Sequence, residues 1–260
     1  MLALSVAAGV LVAVGAVGLW MARPDGPVAG PASQSLPGAV LLVPGYGGGR
    51  ESLLALAGRI RAAGRQAEVL TLPGDGTGDL AVQAAVLAQR AAAAVAGGAP
   101  SVDVVGYSAG GVVARVWVAK DATARLARRV VTLGAPLHGT RLAAVGGALV
   151  PGACPVACQQ LAPGSTLLRE LDGEPLPARL PWLSIWTEDD QTVRPPESAR
   201  LEGAVNVSLQ DVCVGVRVQH SQLPTDPLAV GLVLRALGTD PLSQPRPADC
   251  AALRAEGVSW

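Results

Sequence analysis

Residues Val102–Arg115 read VDVVGYSAGGVVAR and place three kinds of local structure next to one another. The β-branched run at the start, residues 102–105, predicts a short buried strand. Gly106–Gly110 then fits the pattern G-x-S-x-G, and Gly111–Lys120 is rich enough in Val and Ala to form a helix. Strand, tight turn and helix in this order form the context in which G-x-S-x-G makes a nucleophile elbow.

Ser108 is the candidate nucleophile at the centre of this turn. An elbow holds its serine in a strained backbone conformation, so only small neighbours fit, and Gly106 and Gly110 supply that room. The hydroxyl then stands at the start of a helix, where the dipole favours developing negative charge. A glycine-rich turn with a chance serine is the simpler interpretation, and the flanking strand and helix favour the catalytic one.

The composition predicts one large domain and argues against nucleic-acid binding. The chain has 260 residues, of which 50% are hydrophobic and 15% charged, and its formal net charge is zero. That length allows a substantial core, and a nucleic-acid partner would need a basic surface. Because the chain has no Phe, the core must be built mainly from Val, Leu and Ala.

The N-terminal segment predicts export. Residues 2–22 contain no charged side chain and are numerous enough to cross a bilayer as a hydrophobic helix. A retained membrane anchor, a cleaved signal peptide and a buried N-terminal helix are the three interpretations. Residues 23–37, rich in Pro, Gly, Ala and Ser, are expected to form a flexible linker. The catalytic domain is then expected to span residues 38–260, outside the cytoplasm.

Alternating strand and helix patterns follow from Gly38 onward. The predicted strands are Ala39–Val43, Gln66–Thr71, 102–105, Val130–Leu133, Leu183–Thr187 and Val205–Leu209. The predicted helices are Ser52–Ala63, Leu80–Ala96, Gly111–Lys120 and Pro227–Leu237. This alternation predicts the α/β class, with a mostly parallel sheet covered by helices on both faces.

The glycine loop after the first strand, Gly45–Gly49, has neither of the common nucleotide-binding patterns. It lacks the G-K-[ST] ending of a P-loop and the G-x-G-x-x-G spacing of a dinucleotide site, so we expect no bound nucleotide there. In a fold with a nucleophile elbow, the loop after this strand supplies one oxyanion-hole amide, and the residue after the nucleophile supplies the other. The predicted donors are Tyr46, with Gly47 as the alternative, and Ala109.

A serine nucleophile needs a base, and the chain has two histidines. His220 follows the last predicted strand and leads into the closing helix, which matches the order Ser, acid, His. His138 follows an earlier strand, with no carboxylate strand before it. His220 is therefore the predicted base, and a loop residue bonded to backbone is the interpretation favoured for His138.

The acid is expected directly after the strand Leu183–Thr187, where three carboxylates stand in a row. Glu188, Asp189 and Asp190 are all candidates, and such a run is often only a solvated turn. The spacing Thr187-x-x-Asp190-x-x-Val193 favours Asp190, in the loop above the sheet. Its carboxylate would fix the tautomer of His220 and stabilise the imidazolium.

Together with the elbow, the segment Gly134–Thr140 (GAPLHGT) and the spaced Asp190 and His220 resemble the small bacterial triacylglycerol lipases and esterases of the α/β-hydrolase superfamily. The resemblance runs from about residue 38 to about residue 237. It implies carboxylic ester hydrolysis through an acyl-enzyme, without a cofactor. Many such lipases carry His before the serine. Here the residue is Tyr107, as also occurs in esterases, cutinases and thioesterases.

Four cysteines in an exported chain predict disulfides. Three pairings are open, and the favoured one joins Cys154 to Cys158 and Cys213 to Cys250. A zinc site would need further ligands at metal spacing, so no metal is expected. The Pro/Gly-interrupted insertion at residues 146–181 is interpreted as a small cap over the site or as a long connection.

The predicted substrate is a lipid or small ester with a short-to-medium acyl chain. With no Phe and two Tyr, the pocket is expected to have aliphatic walls, and Leu137, Val193 and Leu223 are the candidates from the bordering loops. An acyltransferase or thioesterase of the same fold is the alternative function, and a non-catalytic binding module is the third. The sequence makes no prediction of oligomeric state.

Overall fold

The computed structural model describes residues 31–149 and 154–258, and a six-stranded sheet lies at their centre. The strands are β1 (Ala39–Val43), β2 (Ala67–Val69), β3 (Val102–Tyr107), β4 (Ala127–Leu133), β5 (Trp182–Trp186) and β6 (Val205–Ser208). Their order across the sheet is β2-β1-β3-β4-β5-β6, and all five neighbouring pairs are parallel. The predicted α/β class and parallel sheet are confirmed.

Helices cover both faces of this sheet. They are α1 (Glu51–Ala62), α2 (Leu80–Ala96), α3 (Ala109–Lys120), α4 (Arg141–Leu149), α5 (Val156–Gln160), α6 (Thr166–Asp172), α7 (Leu209–Val212), α8 (Pro227–Ala236) and α9 (Cys250–Val258). Leu87 of α2 and Val113 of α3 belong to one buried cluster, and Leu56 of α1 and Val230 of α8 belong to a second. The sheet separates the two clusters, as expected for parallel strands that are buried on both sides.

The strands are apolar at successive positions because each residue faces one of these two clusters. In β1, Leu41 and Val43 join the first cluster, whereas Val40 and Leu42 join the second. Successive side chains of a strand point to opposite faces, so an unbroken apolar run buries a parallel strand completely. All seven residues of β4 are buried too, although three of them, Arg128, Arg129 and Thr132, are polar and make hydrogen bonds there.

The folded domain begins before Gly38. Gln34, inside the range predicted as a linker, donates from Nε2 to the carbonyl of Arg128 at 2.8 Å and accepts from Nε of Arg129 at 2.9 Å. These bonds fasten Gln34 to the start of β4. The predicted membrane segment, residues 2–22, lies outside the described residues. Within residues 31–149 and 154–258, no helix is both long and apolar enough to cross a membrane.

Both favoured disulfides are present, Cys154–Cys158 and Cys213–Cys250, each with Cα atoms 5.3 Å apart. The first lies in the insertion between β4 and β5, whose described residues form α5, α6 and part of α4. The second fastens α9 to the end of α7, just before the segment that carries His220. The described part of the insertion is therefore largely helical.

Candidate active site

The turn between β3 and α3 has the geometry of a nucleophile elbow. Ser108 has φ 53° and ψ −126°, and among the described residues it is the only one other than glycine with positive φ. Its amide donates to the carbonyl of Leu133 at 2.8 Å, which ties the turn to β4. A Cβ at Gly110 would lie 2.2 Å from the carbonyl oxygen of Val43, so the turn needs glycine there. The strain persists because the surrounding structure fixes it.

The structure brings Ser108, His220 and Asp190 into one hydrogen-bonded chain. Ser108 Oγ lies 3.0 Å from Nε2 of His220, and Nδ1 of the same ring lies 2.6 Å from Oδ2 of Asp190. The three residues are 9%, 8% and 1% exposed, respectively. A carboxylate beside Nδ1 favours the tautomer with the proton on that nitrogen, and Nε2 then faces the hydroxyl of Ser108 as an acceptor.

Asp190 is fixed from two sides, whereas its two neighbours point elsewhere. Its Oδ1 accepts the amides of Thr192 at 2.8 Å and of Val193 at 2.7 Å, and its Oδ2 is left for His220. Asp189 instead pairs with exposed Arg217 at 2.8 Å. Of the three acids in the row, the structure therefore places Asp190 at the histidine.

His138 lies in a different part of the surface. Its Nε2 is 3.0 Å from the carbonyl of Arg200, and its Nδ1 is 3.0 Å from Asp172. The ring lines a groove of about 680 Å³ whose walls do not include Ser108. This matches the interpretation of His138 as a loop residue bonded to backbone. The described residues contain no group of three or more His, Cys, Asp or Glu side chains arranged to hold a metal.

Tyr107, the residue before the serine, lies against the histidine. Its hydroxyl donates to the carbonyl of His220 at 3.3 Å, and the two ring centroids are 5.2 Å apart. Burial, followed by the charge of Asp190, raises the pKa of Tyr107 to about 12. The phenol is therefore a neutral hydrogen-bond donor at any pH at which a histidine base operates.

The two predicted oxyanion amides are unpaired in the described part of the chain. Neither the amide of Tyr46 nor that of Ala109 donates to a protein acceptor there. The loop of Tyr46 approaches the elbow closely, since a Cβ at Gly45 would lie 3.0 Å from the Cβ of Ser108. Ala109 follows Ser108 as the first residue of α3, where free amides favour negative charge.

An apolar cavity of about 170 Å³ opens beside Ser108. Its apolar lining residues are Pro136, Leu142, Ala143, Leu161 and Val193, and Tyr46 and Cys158 also contribute. Of the three predicted substrate residues, Val193 lines this cavity. Leu137 and Leu223 are fully buried, one in each core cluster, because their side chains point into the layers that flank the sheet. The wall is formed instead by Leu142 of α4 and by Cys158 and Leu161 of the insertion.

Comparison with solved structures places this geometry in a known fold. The chain superposes on Bacillus licheniformis lipase BlEst2 in its mature form with a TM-score of 0.65 at 18% identity, covering 82% of this chain and 96% of that one. For Aspergillus fumigatus lipase B the TM-score is 0.63 at 18% identity, covering 85% of this chain. The chain has the α/β-hydrolase fold.

A further superposition agrees with the α/β-hydrolase fold. A metagenomic carboxyl esterase superposes with a TM-score of 0.53 at 17% identity, covering 91% of this chain and 78% of that one. This chain spans 61% of the length of the Aspergillus lipase. No protein-family model and no curated protein matches the sequence. Because the lipases on which the chain superposes are both bacterial and fungal, the comparison shows the fold and not a bacterial subgroup.

Proposed function

We propose that this chain is a serine carboxylic ester hydrolase in which Ser108 is the nucleophile, His220 the general base and Asp190 the orienting acid. The observation that carries the proposal is the buried hydrogen-bonded chain of these three residues, which ends at an apolar cavity. Nucleophile, base and orienting group within hydrogen-bond reach are the geometric requirements for covalent acyl transfer.

In acylation, Oγ of Ser108 attacks the carbonyl carbon of the ester while its proton passes to Nε2 of His220, 3.0 Å away. The amides of Tyr46 and Ala109 stabilise the oxyanion that forms on the carbonyl oxygen. The tetrahedral intermediate then collapses, the bond to the leaving oxygen breaks, and His220 gives its proton to the leaving alcohol. The Asp190 carboxylate stabilises the imidazolium between these two transfers.

In deacylation, water attacks the acyl-enzyme, and His220 accepts its proton. Collapse of the second tetrahedral intermediate returns that proton to Ser108 and releases the carboxylic acid. The cycle needs no metal or cofactor, because water is the only co-substrate. With an alcohol in place of water as the acceptor, the same residues would act as an acyltransferase. With a thiol ester in place of the oxygen ester as the substrate, they would act as a thioesterase.

The size and lining of the cavity support a short-to-medium acyl chain. Pockets for drug-sized ligands have about 300–1,000 Å³, and the cavity beside Ser108 has about 170 Å³. Aliphatic walls bind an acyl chain by removing its methylenes from water, at about 0.8 kcal/mol for each one that is fully buried. Leu161 and Val193, both nearly inaccessible to solvent, form such walls.

We further propose that the enzyme acts outside the cytoplasm. Two disulfides within one domain are typical of exported proteins. Residues 2–22 would then be a membrane anchor or a signal peptide, as the sequence predicts. On this proposal, the partners of the enzyme are an ester substrate and, if residues 2–22 are retained, a membrane.

Replacement of the candidate nucleophile tests the reaction class. Ser108→Ala should fold normally and lose p-nitrophenyl ester turnover by several orders of magnitude, on the order of 10⁴-fold or more, because the covalent step is lost. The wild-type protein should also be labelled by a fluorophosphonate at Ser108. Near-full turnover in purified Ser108→Ala would exclude the serine mechanism, and absence of labelling in the wild type would favour a binding module. Addition of acceptor alcohols to the assay distinguishes hydrolysis from acyl transfer.

The two histidines supply a matched pair for the same test. His220→Ala should be nearly as damaging as Ser108→Ala, because triad members act as a unit. His138→Ala removes the same side chain from a groove that Ser108 does not line and should keep most of the turnover. If the two variants exchanged these outcomes, the assignment of the base would be wrong.

A further inference from the structure

We propose that Tyr107 and Thr187 are positioning residues for the catalytic base, His220. Their hydroxyls hold the segment that carries His220, one from each side. The base loop, Cys213–His220, joins α7 to the short 3-10 turn that begins at His220. The inference rests on the proposed function, since it assigns roles to residues that hold His220. It also gives a role to Tyr107, which departs from the residue that many lipases carry at this position.

The base loop passes over the end of β4, where it rests on a glycine. Gly134 is the first residue after β4 and has φ 55°. A Cβ at this position would lie 3.0 Å from Nδ1 of His220 and 2.6 Å from Cδ1 of Leu223. The imidazole therefore lies directly on the backbone at Gly134, and only glycine leaves it room.

On one side of Gly134, the end of β3 holds the base loop through Tyr107. The hydroxyl donates to the carbonyl of His220 itself, at 3.3 Å, and the ring lies beside the imidazole at an interplanar angle of 32°. The elevated pKa of Tyr107, about 12, keeps this donor protonated. Tyr107 thus contacts both the backbone and the ring of the base.

On the other side, Thr187, the first residue after β5, holds the same loop. This residue is completely buried, and its hydroxyl donates to the carbonyl of Val218 at 2.7 Å. The side-chain amide of Gln210 donates from Nε2 to Oγ1 of Thr187 at 3.0 Å and so fixes the direction in which the hydroxyl donates. Thr187 also starts the turn to the acid, because the amide of Asp190 donates to its carbonyl at 3.2 Å.

Because β3 and β5 flank β4 in the sheet, the two hydroxyls hold the loop at carbonyls two residues apart, on either side of Gly134. The bonds of His220 to Ser108 and Asp190 set the direction of the ring, but neither fixes the backbone behind it. A misplacement of about 1 Å of a catalytic group costs on the order of 10²-fold in rate. Loss of both hydroxyls should therefore lower the rate of the proton-transfer steps and leave substrate binding unchanged.

The experiment removes each hydroxyl with an isosteric change. Thr187→Val should lower kcat by about tenfold and Tyr107→Phe by a few-fold, with KM within about twofold in each, because only a step after binding is affected. The double variant should lose more than the product of the two single losses, since each hydroxyl partly retains the loop alone. Thr187→Ser, which restores the donor, should recover most of the activity.

Thr132→Val is the matched control. Thr132 is also a fully buried threonine at the sheet, and its hydroxyl bonds to Ser184 at 3.1 Å and to Trp182 at 3.3 Å, not to the base loop. It should lower stability to a similar extent without changing kcat. The second readout is the low-field proton resonance of the short bond from His220 Nδ1 to Asp190, followed by NMR. This resonance should weaken in the Thr187→Val/Tyr107→Phe variant and persist in Thr132→Val.

These readouts distinguish two kinds of failure. If the wild type neither turns over esters nor is labelled at Ser108, the proposed function is wrong, and the proton resonance still tests whether the two hydroxyls hold His220. If the wild type is active and the double variant keeps both the wild-type kcat and the wild-type resonance, the two hydroxyls do not position His220. A double variant that raises KM as much as it lowers kcat would also overturn the positioning role.

Discussion

Ser108 and Tyr107 are adjacent residues with opposite surroundings. Ser108 occupies the positive-φ corner of the elbow and faces the cavity, whereas Tyr107 ends β3 and is packed among residues of the core. G-x-S-x-G predicts the first arrangement, because only a small set of backbone conformations joins this strand to this helix. The motif makes no prediction for the side chain of Tyr107, because the neighbours of that side chain, Asp190 and His220, are far away in sequence.

The titration of Tyr107 tests its surroundings directly. Burial and the nearby Asp190 carboxylate both disfavour the tyrosinate, so its pKa lies near 12, above the ordinary value of 10. Because the pKa of Tyr107 is higher in the folded state than in the unfolded chain, the neutral phenol contributes to the free energy of unfolding. This contribution is fully present below pH 10 and is lost as the pH rises to about 12. The chain has two tyrosines, so tyrosinate absorbance in Tyr46→Phe reports Tyr107 alone. A midpoint at 10 would contradict the burial of this side chain, and Tyr46→Phe/Tyr107→Phe should show no titration.

At the scale of elements, the patterns that are local in sequence are the ones that predict correctly. Leu80–Ala96 is helical over the predicted range, and β1 has the predicted bounds, because period and end signals lie within each segment. Asp79, for example, caps α2 by accepting the amide of Ala81 at 2.6 Å. The elbow, the acid loop and the base loop follow from strand order, since all three lie at the carboxyl ends of parallel strands.

The cavity wall, in contrast, depends on contacts that no local pattern specifies. Leu137 and Leu223 belong to loops that the sequence predicts near Ser108, yet their side chains turn into the two core clusters. Leu161 comes from the insertion, whose short helices α5 and α6 are separated by Pro163 and Gly164. The residues of the insertion that contact the elbow are determined by packing between segments that lie far apart in sequence.

Chain-length selectivity tests that wall. With a series of esters from about two to sixteen acyl carbons, kcat/KM should rise to an optimum at roughly four to ten carbons, each buried methylene adding to transition-state binding. Leu161→Ala should move the optimum to longer chains, because it opens the cavity wall. Leu137→Ala, the same truncation inside the core, should lower stability and leave the profile unchanged. A wild-type optimum at acetate or at sixteen carbons, or an unchanged profile in Leu161→Ala, would contradict this pocket.

At the scale of the whole molecule, a buried charge cluster joins distant segments at the opposite end of the sheet from Ser108. Asp103, fully buried in β3, accepts two bonds from Arg128 of β4, at 2.9 and 2.7 Å, and one from Arg65 at 2.6 Å. Both arginines also donate to the carbonyl of Leu237 at the end of α8. The cluster therefore connects α8, which follows the base loop, to the centre of the sheet.

Asp103→Asn tests how much the fold depends on this cluster. The change keeps the shape of the side chain but leaves buried guanidinium charge uncompensated, so the free energy of unfolding should fall by about 3–5 kcal/mol. Glu68→Gln is the control: its pair with Arg90 is about half exposed, and its loss should cost at most about 1 kcal/mol. Denaturant unfolding with the disulfides intact measures both. Because the cluster lies far from the elbow, turnover per folded molecule should stay at the wild-type level in both variants, and a loss in Asp103→Asn would mean that the cluster also sets the position of the base.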